Sequence, residues 1–104
     1  MTTYYNISTN DISKYWDTNK IIEYINNSNM FIYKNNGYFE CVNEYCIIPL
    51  VYTNDFDSYV SQNDFNITKT NLISVVTSHE LSNKVMKFLK NLAEKLNAEL
   101  VEEE

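Results

Sequence analysis

The sequence predicts an α+β domain in which a long C-terminal helix packs on one face of a sheet. Three observations lead to this fold class. Two strand-like runs flank an Asn-Gly pair at residues 36–37. A separate apolar run covers residues 72–77. The residues after that run have one apolar stripe at helical spacing. A length of 104 residues is usual for one domain, so we expect residues 1–104 to form a single domain.

The first predicted element is an N-terminal helical segment over residues 11–27, divided into two parts. Two apolar stripes, displaced by roughly a third of a turn, consist of Ile12, Tyr15 and Trp16 and of Ile21, Ile22 and Ile25. One straight helix cannot bury both stripes against the same surface, so the break should fall at residues 17–19. Asp17 or Thr18 would then be the N-cap of a second short helix, and the polar run at residues 26–29 would end it.

An antiparallel three-stranded meander should follow. The strand-like residues 30–34 and 38–42 flank the Asn-Gly pair, which suits a type I′ turn because both positions adopt positive φ. We therefore expect a hairpin with a two-residue loop. The third strand covers about residues 45–52, and Pro49 should place it at a sheet edge or at a bulge, because proline has no N–H to donate.

A strand–helix–strand unit completes the predicted fold. Residues 72–77 are typical of a buried strand, and residues 98–101 can form a last strand. Thr77 and Glu80 fit a capping box, so the helix should begin at Ser78 and continue for roughly 20 residues. Its apolar stripe consists of Leu81, Val85, Phe88, Leu89, Leu92 and Leu96, and Lys84, Lys87, Asn91 and Glu94 lie opposite. If the two strands are parallel, the crossover should be right-handed.

Charge and hydropathy limit the classes of partner. The formal net charge is −6, and the eight basic residues are all lysine. An acidic chain without arginine is a poor ligand for nucleic-acid phosphates and for anionic membranes, so we expect neither as a partner. The longest apolar run, residues 46–52, is far shorter than the roughly 20 residues of a membrane span. The first residues do not resemble a signal peptide, and we expect a cytoplasmic protein.

The sequence contains no motif for catalysis, a cofactor or a metal. Gly37 is the only glycine, which excludes glycine-rich nucleotide loops. Cys41 and Cys46 lack the two-residue spacing of zinc and redox motifs, and we expect two reduced core thiols. His79, the only histidine, is expected to face solvent in the first turn of the last helix rather than to act as a base for a cysteine. The Asp-Phe-Asp run at residues 55–57 lacks the later ligands of a calcium loop.

The long polar connection over residues 53–70 is the predicted binding site. We expect its partner-binding residues to be Asp55, Asp57, Tyr59 and Asp64. Tyrosine provides a large contact area at little entropic cost, and the carboxylates could steer a basic partner. The alternative is that the aromatic residues of this connection cover the core and that the aspartates keep it soluble.

Three classes of function are consistent with these features. The first, which we favour, is a small acidic protein-binding module such as an inhibitor or immunity-type protein that sequesters a basic enzyme. The second is a structural or accessory subunit that obligately associates with itself or with another chain, and an apolar sheet face exposed to solvent would favour it. The third is a small enzyme without a recognisable motif. The absence of catalytic motifs leads us to expect that the protein is not an enzyme.

Overall fold

The computed structural model of the protein describes residues 2–34, 37–53, 56 and 68–103. Eight strands and two helices lie within these ranges. The strands are β1 (Thr3–Ser8), β2 (Trp16–Asp17), β3 (Phe31–Lys34), β4 (Tyr38–Cys41), β5 (Cys46–Val51), β6 (Lys69–Thr70), β7 (Leu72–Thr77) and β8 (Leu100–Glu103), and the helices are α1 (Thr18–Asn26) and α2 (Asn83–Lys95).

Six of the strands form one sheet in the order β3-β4-β5-β7-β1-β8, in which every neighbouring pair is antiparallel. Strands β2 and β6 form a separate two-stranded sheet. Both helices pack on one face of the large sheet, where Tyr24 of α1 stacks on Phe88 of α2 at 5.6 Å between ring centroids and Phe31 of β3 lies 5.4 Å from the same ring. The opposite face of the six-stranded sheet is called the outer face below.

The predicted architecture is wrong, because the sheet dominates the fold and the described chain begins with a strand rather than a helical segment. Residues 11–15 are not helical, and Ile12 and Tyr15 of the first predicted stripe are exposed. The Asp11 carboxylate accepts hydrogen bonds from the backbone N and the Oγ of Ser13, a local turn that competes with the first helical turn. The second predicted helix is confirmed as α1, with Asp17 as its N-cap.

The long C-terminal helix is absent, and the 13-residue helix α2 takes its place. Thr77 does not cap it, because the Thr77 hydroxyl donates to the Tyr45 carbonyl oxygen at 2.9 Å from within β7. Ser82 is the N-cap, and its Oγ accepts from Val85 N at 3.3 Å. The predicted capping box therefore failed because β7 and its cross-strand contacts occupy Thr77.

The C-terminal end of α2 is closed by an asparagine in the left-handed conformation. Asn97 has φ of 56°, and the Ala98 N–H donates to the Ala93 carbonyl oxygen at 2.9 Å. Asn97 N donates to the Glu94 carbonyl oxygen, which completes the two bonds of a Schellman motif. The predicted apolar stripe is confirmed by the burial of Leu81, Val85, Leu89 and Leu92, and the residues predicted opposite to it are exposed.

The strands before and after α2, β7 and β8, are parallel to each other in one sheet, but they are not neighbours. Strand β1 lies between β7 and β8 and is antiparallel to both, so that Ile7 pairs with Ile73 on one side and with Leu100 on the other. Because a local pattern cannot show which distant strand pairs with which, this insertion of the N-terminal strand was not foreseen.

The predicted meander is confirmed as β3-β4-β5, with two corrections. Lys34 pairs with Tyr38, which leaves three residues rather than two in the hairpin loop, and of these only Gly37, with φ of 81°, is described. Pro49 lies in an interior strand rather than at an edge. The pairing of β5 with β7 is interrupted at Ile48 and Pro49, since proline lacks the N–H that would continue the ladder.

Candidate functional site

The binding residues predicted from the sequence fall outside the described residues. Asp55, Asp57, Tyr59 and Asp64 all belong to the ranges 54–55 and 57–67, for which no placement is given. The prediction for this connection therefore stays a prediction. The described surface offers a different candidate, which was not foreseen.

The outer face carries a row of four apolar residues and one glutamate that crosses the sheet, called the apolar row below. Tyr4 pairs with Val76, Val76 with Ile47, Ile47 with Glu40 and Glu40 with Ile32, so all five side chains project from the same face. Tyr4 is 46% exposed and Ile32 is 52% exposed. The free face of an antiparallel sheet is normally polar, whereas apolar patches on a surface are typical of interaction sites.

A small acidic pocket adjoins this row on the outer face, near the edge strand β8. Its volume is about 200 Å³. The residues lining it are Asn6, Ser8, Asn10, Phe56, Leu72, Glu99, Val101 and Glu103. Asn6 and Val101 are paired across β1 and β8, which places the pocket over the junction of these two strands. Two carboxylates therefore lie around one concavity on the side of the sheet that the helices leave open.

The Asn6 side-chain amide, which lines this pocket, has a hydrogen-bond partner for its nitrogen but none among the described residues for its oxygen. Asn6 Nδ2 donates to Glu103 Oε1 at 2.6 Å, whereas Asn6 Oδ1 is buried without a hydrogen-bond partner among the described residues. Buried side-chain oxygens are normally paired, and an amide oxygen accepts only from donors. A cationic group that reached the pocket could lie against the carboxylates of Glu99 and Glu103.

A second concavity lies between the two helices. Its volume is about 260 Å³, and its walls are mostly apolar. Trp16, Ile21, Tyr24 and Leu92 line it together with Asp17, Lys20, Lys95 and Leu96. Lys95 Nζ lies 5.2 Å from the centroid of the Tyr24 ring, so its charge already has a partner within the protein. Its mostly apolar walls could accept an apolar group.

His79, Glu44 and Ser82 form a polar cluster at the start of α2. The Ser82 N–H donates to Glu44 Oε1 at 3.0 Å, and this bond holds the pKa of the Glu44 carboxyl below its ordinary value. His79 Nε2 lies 3.7 Å from Glu44 Oε1, and His79 Nδ1 lies 3.5 Å from Thr77 Oγ1. His79 is exposed as predicted, but it precedes α2 rather than lying in its first turn. The cluster ties the β4–β5 loop to the N-terminus of the helix.

Cys46 is poorly suited to act as a nucleophile. Cys46 is 2% exposed, and burial raises the pKa of its thiol to about 12, so it is protonated at neutral pH. In the described ranges, no three His, Cys, Asp or Glu side chains are grouped so that they could hold a metal ion.

Neither described helix is long and apolar enough to cross a membrane.

No family model, no curated protein and no solved structure matches the chain.

Proposed function

We propose that the protein is a binding module that holds a basic protein partner on its outer face. The observation that carries this proposal is the acidic pocket lined by Glu99 and Glu103, where the Asn6 amide donates to Glu103 Oε1 and its oxygen has no hydrogen-bond partner among the described residues. Hydrogen bonds from a cation to a carboxylate are about twice as strong as neutral ones, so a lysine or arginine side chain is the ligand that these groups favour.

The apolar row next to the pocket would supply the remaining contact area. Tyr4 and Val101 flank the pocket-lining residue Asn6 along and across the strands, and both are about half exposed. Tyrosine at the centre of an interface is often an anchor, because it buries a large area and loses few rotamers. A partner that combines a basic side chain with an apolar patch would match both features.

Long-range electrostatics support the same class of partner. The chain carries a net charge of −6, and residues 99 and 102–104 are all glutamate. Such a field speeds the approach of a basic protein, an effect that salt screens over about 8 Å under physiological conditions. This proposal includes the inhibitor or immunity-type role, in which the basic partner is an enzyme.

Self-association through the outer face is the second candidate. It is favoured by the exposed apolar side chains of the row, which a second copy could cover. It is opposed by like charge, since two copies would bring their glutamates in and near β8 together. A dimer of this kind should therefore form at high salt rather than at low salt, which is the opposite of the dependence expected for a basic partner.

A matched pair of variants tests the proposal. Glu99→Gln/Glu103→Gln removes two carboxylates from the pocket, and Glu23→Gln/Glu94→Gln removes two exposed carboxylates from the helices, so both variants have the same net charge. Each protein is used to capture partners from the cells that produce it, and the captured proteins are quantified. We expect the wild type and the helix variant to capture the same basic proteins, and the pocket variant to lose them.

Association kinetics at two salt concentrations then complete the test. The pocket variant should dissociate faster than the helix variant, because it loses direct contacts. If both variants retain the same proteins with the same kinetics, the pocket is not the binding site. A change of Ile32 to Lys should weaken binding, whereas a change of the equally exposed Ile12 to Lys, off the outer face, should not.

The connection predicted from the sequence is tested separately. Asp55→Asn/Asp57→Asn/Asp64→Asn should slow association with a captured partner and flatten its salt dependence, and Tyr59→Ala should speed dissociation. Unchanged kinetics in both variants would remove this connection from the binding site and leave the outer face.

A further inference from the structure

The two cysteines face each other across the β4–β5 hairpin. Cys41 is the last residue of β4 and Cys46 is the first residue of β5. The pairs of Tyr38 with Pro49, Phe39 with Ile48 and Glu40 with Ile47 fix the register, and its next step sets Cys41 opposite Cys46. The spacing of Cys41 and Cys46 led to the expectation of two reduced core thiols, and it contained no information on this pairing.

The hydrogen-bond pattern defines which kind of pair they form. Leu50 N donates to the Gly37 carbonyl oxygen, and the hydrogen-bonded positions alternate from there along the hairpin. The Cys41–Cys46 pair is therefore a hydrogen-bonded pair, for which the Cα atoms lie about 5.5 Å apart. This spacing falls within the roughly 4.4–6.8 Å that a disulfide spans, although the Cβ atoms must approach by about 1 Å.

The position of the pair at the end of the hairpin ladder allows the two Cβ atoms to approach each other. The pair ends the ladder, and the four residues of the β4–β5 loop, 42–45, follow it directly. Both thiols project to the helix face, where Cys46 is buried and Cys41 is half-buried at the margin of the core. The Cys41 thiol is consequently the one that a reagent can reach, and Cys46 lies behind it.

We propose that Cys41 and Cys46 form a reversible intramolecular disulfide when a small disulfide such as oxidised glutathione is the oxidant. The Cys41 thiolate attacks one glutathione sulfur, the glutathione S–S bond breaks, and one glutathione thiolate leaves and takes up a proton. The Cys46 sulfur then loses its proton and attacks Cys41 Sγ, which releases the second glutathione. Two protein thiols are thereby oxidised to one disulfide, and one glutathione disulfide is reduced to two thiols.

The environment of the two thiols determines the order and the rate of these steps. Burial, together with the charge of a Cys41 thiolate and of Glu44, raises the pKa of Cys46 to about 12, so its thiolate is scarce at neutral pH. The second step should therefore be slow and should accelerate as pH rises. A bond that must pull its Cβ atoms together is more easily reduced than a relaxed structural disulfide, which makes the modification reversible by ordinary thiols.

Mass spectrometry can detect the expected disulfide directly. The purified protein is incubated in buffers of increasing ratio of oxidised to reduced glutathione, quenched with acid, alkylated and analysed by intact mass and peptide mapping. We expect a monomer that is two hydrogen atoms lighter and carries no alkyl group, with a peptide in which residues 41 and 46 are linked. Excess dithiothreitol should restore both alkylation sites.

Two single variants provide the control. Cys46→Ala should stop at a glutathione adduct on Cys41, and Cys41→Ala should show little adduct on the buried Cys46. The proposal is overturned if the wild-type protein keeps both thiols alkylatable in excess oxidised glutathione, if it stops at the Cys41 adduct, or if it forms only a dimer linked through Cys41. This inference does not depend on the proposed binding function.

Discussion

The side-chain amide of Asn71 pairs with the backbone of Thr53 as a neighbouring strand would. Asn71 Nδ2 donates to the Thr53 carbonyl oxygen at 2.8 Å, and Thr53 N donates to Asn71 Oδ1 at 3.0 Å. The backbone of Asn71 also accepts from Thr9 N and donates to the Val51 carbonyl oxygen. One fully buried residue between β6 and β7 thus joins two other segments, the end of β5 and the residue after β1, where the chain passes from the small sheet to the large one.

Asn71→Ala should destabilise the protein by about 1–3 kcal/mol, because it removes the partners of two buried backbone groups of Thr53. Urea denaturation measures the change. Asn91→Ala is the matched control, because Asn91 is exposed on α2 and its replacement should change stability by less than about 0.5 kcal/mol. Equal effects of the two substitutions would show that the Asn71 contacts contribute nothing.

Leu89 and Leu92 should be the most costly positions to truncate on α2. Both are buried in the core beneath the sheet, and replacing either with alanine should cost about 2–5 kcal/mol of unfolding free energy. Lys87→Ala on the exposed side of the same helix should have a small effect. Losses below about 0.5 kcal/mol at both leucines would contradict the packing of α2.

Substitutions at Gly37 should change the stability of the protein through the backbone conformation alone. Its φ is 81°, and a Cβ atom built there would meet no atom within 4 Å, so steric crowding by neighbours does not contribute. Gly37→Val should cost about 1–2 kcal/mol, and Gly37→Asn should cost less because asparagine tolerates positive φ. Thermal unfolding of the two variants distinguishes them, and a valine variant as stable as the parent would show that the loop adopts another conformation.

Glu44 should contribute a pH-dependent part of the stability. Its pKa is lowered in the folded protein by the Ser82 N–H, so its contribution is present above the unfolded pKa of about 4.3 and is lost as pH falls through the lower folded value. Glu44→Gln keeps an oxygen acceptor but removes the charge. The difference in Tm between parent and variant should be larger at pH 7 than at pH 3.

The parent must be compared with the Glu44→Gln variant because the Asp11 carboxyl also has a lowered pKa. Hydrogen bonds from Ser13 lower the pKa of Asp11, which is present in both proteins and cancels in the difference. If the difference in Tm were the same at pH 3 and pH 7, the bond from Ser82 to Glu44 would not depend on the charge of the carboxylate.

The elements that were predicted correctly are those for which a local sequence pattern is sufficient. The stripe from Leu81 to Leu96 has a period that only a helix can bury on one side, and this face is the buried one. Asp17 can accept from a helical N–H without help from the rest of the chain, and it does so from Asn19 N. The meander was foreseen for the same reason, since short loops make neighbours in sequence into neighbours in space.

The sequence by itself therefore determined the local elements, namely α1 and its cap, the core-facing side of α2 and the order β3-β4-β5. Only the tertiary structure decided that β1 lies between β7 and β8, that Asn6 faces Glu103 and that Cys41 faces Cys46. Each of these relationships depends on strand pairing and register, and a shift of one residue would move every side chain to the other face. Pairing energy is gained between residues that are distant in sequence, so local periodicity contains no record of it.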